Sequence, residues 1–176
     1  MNDVVGGEVM DEKALVKLAK NGDKDAFAEL FSAYKDKLYK YAYYKVGELD
    51  ALDAVMDCAV EAWKNIVYLR NEKAFSFWLF RILNRCCSLY IGELIRRREN
   101  KDVDQLSIAS YTNFQAVELK EALKLLDEED RDIVLMSAVA GYNSREIGKI
   151  LGLKAATVRS KLSRSLAKMR EFLEVS

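Results

Sequence analysis

The residue types best suited to chemistry lie near the C-terminus, where Lys154, Thr157, Arg159, Ser160, Lys161 and Arg164 follow one another with no acid between them. On a helix they would form a row of hydrogen-bond donors. Arginine can grip guanine through two parallel bonds, while lysine, serine and threonine hold phosphates or bases. That chemistry is recognition of nucleic acid, with no bond made or broken. A second group sets Arg70, Lys73, Arg81 and Arg85 beside Phe75 and Trp78, with Asn71 and Asn84 among them. Cations next to aromatic rings suit a single strand, through phosphate contacts and base stacking. The third group is acidic: Asp53, Asp57 and Glu61 recur at i, i+4 and i+8. On a helix such a row repels itself by about 0.2–0.5 kcal/mol per pair. It is either a wet face or a surface awaiting a basic partner.

Charge is distributed in the same sense. The formal net charge is zero, which argues against an indiscriminate nucleic-acid coat. Yet residues 70–98 hold 7 basic and 2 acidic side chains, and residues 141–176 hold 8 and 3, while 1–69 and 118–140 are net acidic. Two basic blocks alternating with acidic ones point to two nucleic-acid faces plus an acidic surface for another partner. An enzyme is the weakest reading, since histidine is absent and no glycine-rich phosphate loop or carboxylate–nucleophile cluster stands in a recognisable frame. Cys58, Cys86 and Cys87 sit in apolar helical contexts and read as reduced packing residues. No metal or cofactor is expected. No apolar run reaches signal-peptide length or the roughly 20 residues of a membrane span, so the expected location is the cytoplasm.

The elements that must carry these residues are helices. Proline is absent, and apolar residues recur at three- and four-residue spacing almost throughout. Residues 1–10 read as a loose tail. Helices are predicted from Glu12 to Lys20, from Ala26 to Val46 with Asp23 or Asp25 as cap, and from Asp50 to Tyr68. In the last of these Leu52, Val55, Met56, Ala59, Trp63, Ile66 and Val67 are expected to face the core. A helix from Phe75 to Arg98 should pack Phe75, Trp78, Leu79, Ile82, Leu83, Cys86 and Leu89 or Tyr90 inward, and turn Arg81, Asn84, Arg85 and Ser88 out together. Residues 99–115 lose the periodicity and read as a flexible linker between two small domains, 11–98 and 116–176. Further helices are expected near 116–126, 128–139, 144–151 and 155–173. The last two, with Ser144 as cap and Gly152 between them, have the pattern of a helix-turn-helix: Ile147, Ile150, Leu151, Leu153, Val158 and Leu162 are apolar where the crossing helices touch.

Residues 126–173, LDEEDRDIVLMSAVAGYNSREIGKILGLKAATVRSKLSRSLAKMREFL, resemble the C-terminal domain of the sigma-70 family in its extracytoplasmic-function group. The segments AFAELFSAYKDKLYKYAY, DALDAVMDCAVEAW and LRNEKAFSFWLFRILNR are similar, in order and spacing, to the promoter-melting domain of that group. The resemblance covers roughly residues 20–174. It implies an RNA polymerase sigma factor, in which Asp53, Met56, Asp57 and Glu61 meet the basic clamp helices of the core enzyme. The loop 69–74, with Arg70, Asn71 and Lys73, would capture a flipped base of the −10 element. Phe75, Trp78, Arg81, Asn84 and Arg85 would serve the non-template strand, and Lys154, Thr157, Arg159, Ser160, Lys161 and Arg164 the −35 element. An anti-sigma factor holding the free protein inactive is a further expectation of the same kind. Departures from the family pattern stand at Met56, where glutamine is usual, at Asn84, one place off the family's asparagine, and at Leu89, where aspartate is common. Two other readings compete: a stand-alone helix-turn-helix regulator, which leaves the acidic row and the helix of Trp78 without a role, and a sigma-like interaction protein without promoter activity.

Overall fold

The computed structural model describes residues 11–99 and 114–175. The tail 1–10 and most of the expected linker lie outside the described residues. Among those described there are helices and no strands, in the order α1 (Glu12–Lys20), α2 (Lys24–Val46), α3 (Glu48–Asn65), α4 (Phe75–Glu99), α5 (Phe114–Lys124), α6 (Glu128–Ala138), α7 (Ser144–Leu151) and α8 (Ala155–Val175). Two single 3₁₀ turns, Ile66–Tyr68 and Glu72–Ala74, flank the loop between α3 and α4.

Helix α2 starts where the Asp23 carboxylate accepts from the amides of Asp25 and Ala26, both at 3.0 Å. Its inward face is Phe27, Leu30, Leu38, Tyr41 and Ala42, all buried, with Phe31 and Tyr34 packed alongside. Helix α3 differs from its expected orientation. The residues it buries are Ala51, Ala54, Val55, Cys58 and Ala62, whereas Leu52 and Met56 are 58% and 56% exposed. Small side chains let α3 lie close against α2 and α4, and that rotation turns its larger apolar groups outward. On α4, Phe75, Leu79, Phe80, Ile82, Leu83, Cys86 and Cys87 are buried and Tyr90 is half-buried, but Leu89 is exposed. All three cysteines are free and buried, and burial raises each thiol above its ordinary range.

In the C-terminal module Arg131 of α6 ties down the preceding turn, donating to the carbonyls of Leu123 and Leu126 at 3.0 Å each. Ile133, Val134, Leu135, Met136, Ile147, Ile150, Val158 and Met169 are buried, in the same core cluster as the α1–α4 residues. The two modules therefore share one apolar interior. At the seam the Tyr142 ring meets Phe80 edge-on at 5.1 Å and Phe77 at 5.6 Å, and its hydroxyl pairs with Ser76 at 3.1 Å.

Candidate nucleic-acid interface

The helix-turn-helix is built by short-range chemistry. Asn143, not Ser144, caps α7: its side chain accepts from the amides of Arg145 and Glu146, while Glu146 accepts from the Asn143 amide at 2.8 Å. This reciprocal box satisfies donors that would otherwise face nothing. Gly152 ends α7 with φ 75°, in the left-handed region that glycine tolerates. Gly148 has a different task. A Cβ there would stand 2.5 Å from the Leu153 carbonyl oxygen, so only glycine lets the turn fold back this tightly. The turn aims α8. Its Val158, Ser165 and Met169 point in, and Thr157, Arg159, Ser160 and Arg164 are exposed, as is Lys154 just before it. Among the described residues Arg159 and Arg164 have no ion-pair partner. Lys161 is placed otherwise: half-buried, it binds Asp130 at 2.6 Å and Glu129 at 3.0 Å and braces α8 on α6.

The loop before α4 is also held from several sides. Leu69 is buried, and the Asn71 carboxamide accepts from the Lys73 amide at 3.1 Å. Lys20 of α1 donates to the Leu69 carbonyl at 2.7 Å and to Glu72 at 3.1 Å. Arg70, Asn71 and Lys73 are exposed. Beside them lies a cleft of about 360 Å³ lined by Asn65, Tyr68, Trp78, Arg81, Ile82 and Arg85. Phe75 is fully buried against Tyr34 and Trp78, at 5.8 and 5.9 Å, so it supports the cleft from below and does not face it. Tyr68, 76% exposed, was not foreseen as a site residue. Its signal was an aromatic ring ending the α3 periodicity next to a charged turn. Lys20 and Asn65 carried no signal of their own.

Of the four side chains expected to point outward together, Arg81 and Arg85 are exposed, while Asn84 and Ser88 are half-buried against the C-terminal module. Arg85 pairs with Glu61 at 3.5 Å. On α3, Asp53 and Asp57 are exposed and Glu61 is half-buried. They stand among exposed Leu49, Leu52, Met56 and Val60, giving a mixed acidic and apolar face. Tyr90 donates to Asp57 at 2.9 Å. Its partial desolvation, then the Asp57 carboxylate, push its hydroxyl up to about 12, so it stays a neutral donor.

Residues 30–98 match the family described as sigma-70 region 2, and residues 116–169 match sigma-70, region 4. The chain belongs to the sigma-70 family. Among relatives of this sigma factor, the ECF RNA polymerase sigma-E factor of Haemophilus influenzae is 27% identical over 184 residues, covering 95% of each chain. The ECF RNA polymerase sigma factor SigW of Bacillus subtilis is 25% identical, covering 92% of this chain and 96% of its own. Solved structures agree in fold. CnrH, in complex with the cytosolic domain of CnrY, superposes with a TM-score of 0.75 at 24% identity, over 94% of this chain and 98% of that one. The sigma factor RpoE of Bartonella quintana, bound to the anti-sigma factor NepR, gives 0.69 at 24% identity, over 88% and 99%. These relatives place the sigma factor in the extracytoplasmic-function group. Among the described residues no helix is long and apolar enough to cross a membrane.

Proposed function

We propose that this sigma factor binds core RNA polymerase in the cytoplasm and directs promoter recognition and transcription initiation, with three surfaces dividing the work. The acidic and apolar face of α3, through Asp53, Met56, Asp57 and Glu61, docks on basic helices of the core enzyme. Charge steers that encounter, and the exposed leucines and Met56 supply apolar area once water is excluded. The exposed donors on α8 enter the major groove of the −35 element, in the manner of a recognition helix.

The −10 element needs a different device, because its bases must leave the stack. Unstacking costs a few kcal/mol per base, which a protein without fuel offsets by binding the exposed strand. Tyr68 and Trp78 offer ring faces for a base, the loop of Arg70 and Asn71 offers polar edges, and Arg81 and Arg85 offer cations for the phosphates. With core polymerase supplying most of the attachment, a chain of zero net charge suffices.

One observation carries this reading: exposed cationic donors on two separate modules coexist with an exposed acidic and apolar helix face, in a chain that matches both sigma-70 regions. Gel filtration with core polymerase followed by run-off transcription tests it. Co-elution with initiation at defined start sites is the expected result. Sequence-specific duplex binding without co-elution would instead identify a stand-alone regulator, and co-elution without transcripts an interaction protein. By analogy with RpoE, solved with the anti-sigma factor NepR, an inhibitory partner should co-purify from cells. Recovery only alone or with polymerase would count against a dedicated inhibitor.

A further inference from the structure

The docking face of α3 continues onto α4. Beside Asp57 a cavity of about 440 Å³ opens between the two helices, with exposed Val60 and Leu89, half-buried Tyr90 and buried Cys86 among its walls. Met56 and Leu89 are positions where an apolar residue replaces the polar one usual in the family, and they are 56% and 64% exposed. Val60 follows Met56 by one turn, so the apolar strip of α3 runs up to the cavity and Leu89 extends it on α4. The acid at this cavity differs from its counterparts elsewhere. Asp132 is matched by Lys45 at 2.7 Å across the module seam, and Asp130 by Lys161 at 2.6 Å. Glu61, in the same cavity wall, has Arg85 at 3.5 Å and Lys64 at 3.6 Å. Asp57 has no ion-pair partner among the described residues and accepts from a neutral donor, the Tyr90 hydroxyl, at 2.9 Å. Asp53 and Asp50 add to the negative potential at that hydroxyl.

We propose that this cavity is a socket for one arginine side chain of core RNA polymerase, its guanidinium held by Asp57 and Tyr90 and its stem by Val60 and Leu89. The proposal rests on the reading of α3 as the docking face and names what the partner must present there. Arginine matches each wall in turn. Its methylenes bury on apolar surface while the head stays polar. The planar head stacks on an aromatic ring, and its paired N–H groups suit a carboxylate. Lysine would bring a more strongly hydrated point charge with no plane to lay on Tyr90. An aliphatic side chain would seal Asp57 from water without a counter-charge, which is costly. Interfaces concentrate affinity in enclosed pairings of arginine with aromatic groups, inside a rim that excludes water. Met56, Val60 and Leu89 form such a rim. The exposed acidic row steers the encounter, and the filled socket slows release.

The test titrates core polymerase into the full chain, labelled with fluorescein at its N-terminus, and reads anisotropy. Asp57→Asn keeps the shape of the socket and removes its charge. It should weaken binding about tenfold or more. Leu89→Arg, at an exposed position that the fold does not depend on, offers Asp57 a guanidinium from the chain itself and should weaken binding to a similar degree. Tyr90→Phe keeps the ring and frees the carboxylate, so it should bind at least as well as wild type. Loss with Leu89→Arg but none with Asp57→Asn means that an apolar group fills the cavity, and overturns the proposal. Wild-type affinity in both variants, while Asp53→Lys loses binding, shows an empty socket on a genuine docking face. Failure of the underlying α3 reading has another signature: Asp53→Lys also binds like wild type. A photo-cross-linking variant at the rim, Lys64→p-benzoylphenylalanine, identifies the occupant directly. Mass spectrometry of the cross-linked core peptide should find an arginine within it, and a peptide without arginine overturns the proposal.

Discussion

Lys20 shows how much one ammonium can organise. From the last turn of α1 it spans the Leu69 carbonyl and Glu72, so the turn carrying Arg70 and Asn71 is braced from a neighbouring helix. A backbone hydrogen bond first, and then Lys20, hold the Glu72 carboxyl below its usual range, so the brace is charged at neutral pH. Lys20→Met is expected to weaken −10 strand binding severalfold while leaving −35 duplex binding alone. An oligonucleotide lacking the extruded base should bind both proteins equally, and an equal loss on it would reduce Lys20 to a structural prop. On α8, Arg159→Ala and Arg164→Ala should each cost about 1–3 kcal/mol of −35 affinity if they grip bases. Duplex titrations with single-base changes check this, and unchanged affinity in both variants would remove them from the interface. Lys161 belongs to another class, since its donors are spent on Asp130 and Glu129.

Helix α3 carries the clearest prediction for an element. Asp53 and Asp57 are exposed and outside the buried core, and the tie from Asp57 to it is the exposed hydrogen bond from Tyr90. Asp53→Lys with Asp57→Lys should therefore abolish co-elution with core polymerase while circular dichroism and thermal midpoint stay near wild type; retained co-elution would exclude this face. The same helix shows why helical periodicity alone could not orient it. Two stripes overlap on α3, one of large apolar residues through Leu52 and Met56, the other of small ones through Ala51, Ala54, Cys58 and Ala62. Hydropathy favours the first, but close approach of neighbouring helices selects the second. The cap of α7 was legible in principle, because Glu146 stands three residues after Asn143 and completes the capping box there. The crossing of α7 and α8 followed the sequence pattern, with Val158 fully buried and Thr157, Arg159, Ser160 and Arg164 outside, but Lys161 is drawn in against α6.

For the whole molecule, the element order was legible because proline is absent and Gly22, Gly47, Gly141 and Gly152 fall at the joints. The seam between modules was not. Lys45 and Asp132 lie 87 residues apart, and each looks in the sequence like one more solvated charge. Such a pairing follows from the packing of two finished helical units, which no local pattern encodes. Modules that share one core cluster should unfold together, so scanning calorimetry of the free chain is expected to give one transition, and Asp132→Asn to split it or broaden it toward two. Two resolved transitions in wild type would show that the seam does not couple them. The aromatic inventory adds a practical consequence. The chain has 2 tryptophans; Trp63 is seated against Phe27 at 5.2 Å, while Trp78 lines the cleft next to Tyr68. A nucleobase stacking there would quench Trp78 and leave Trp63 as an internal reference. The protein thus contains its own optical gauge of occupancy, readable from ultraviolet emission without attaching a dye.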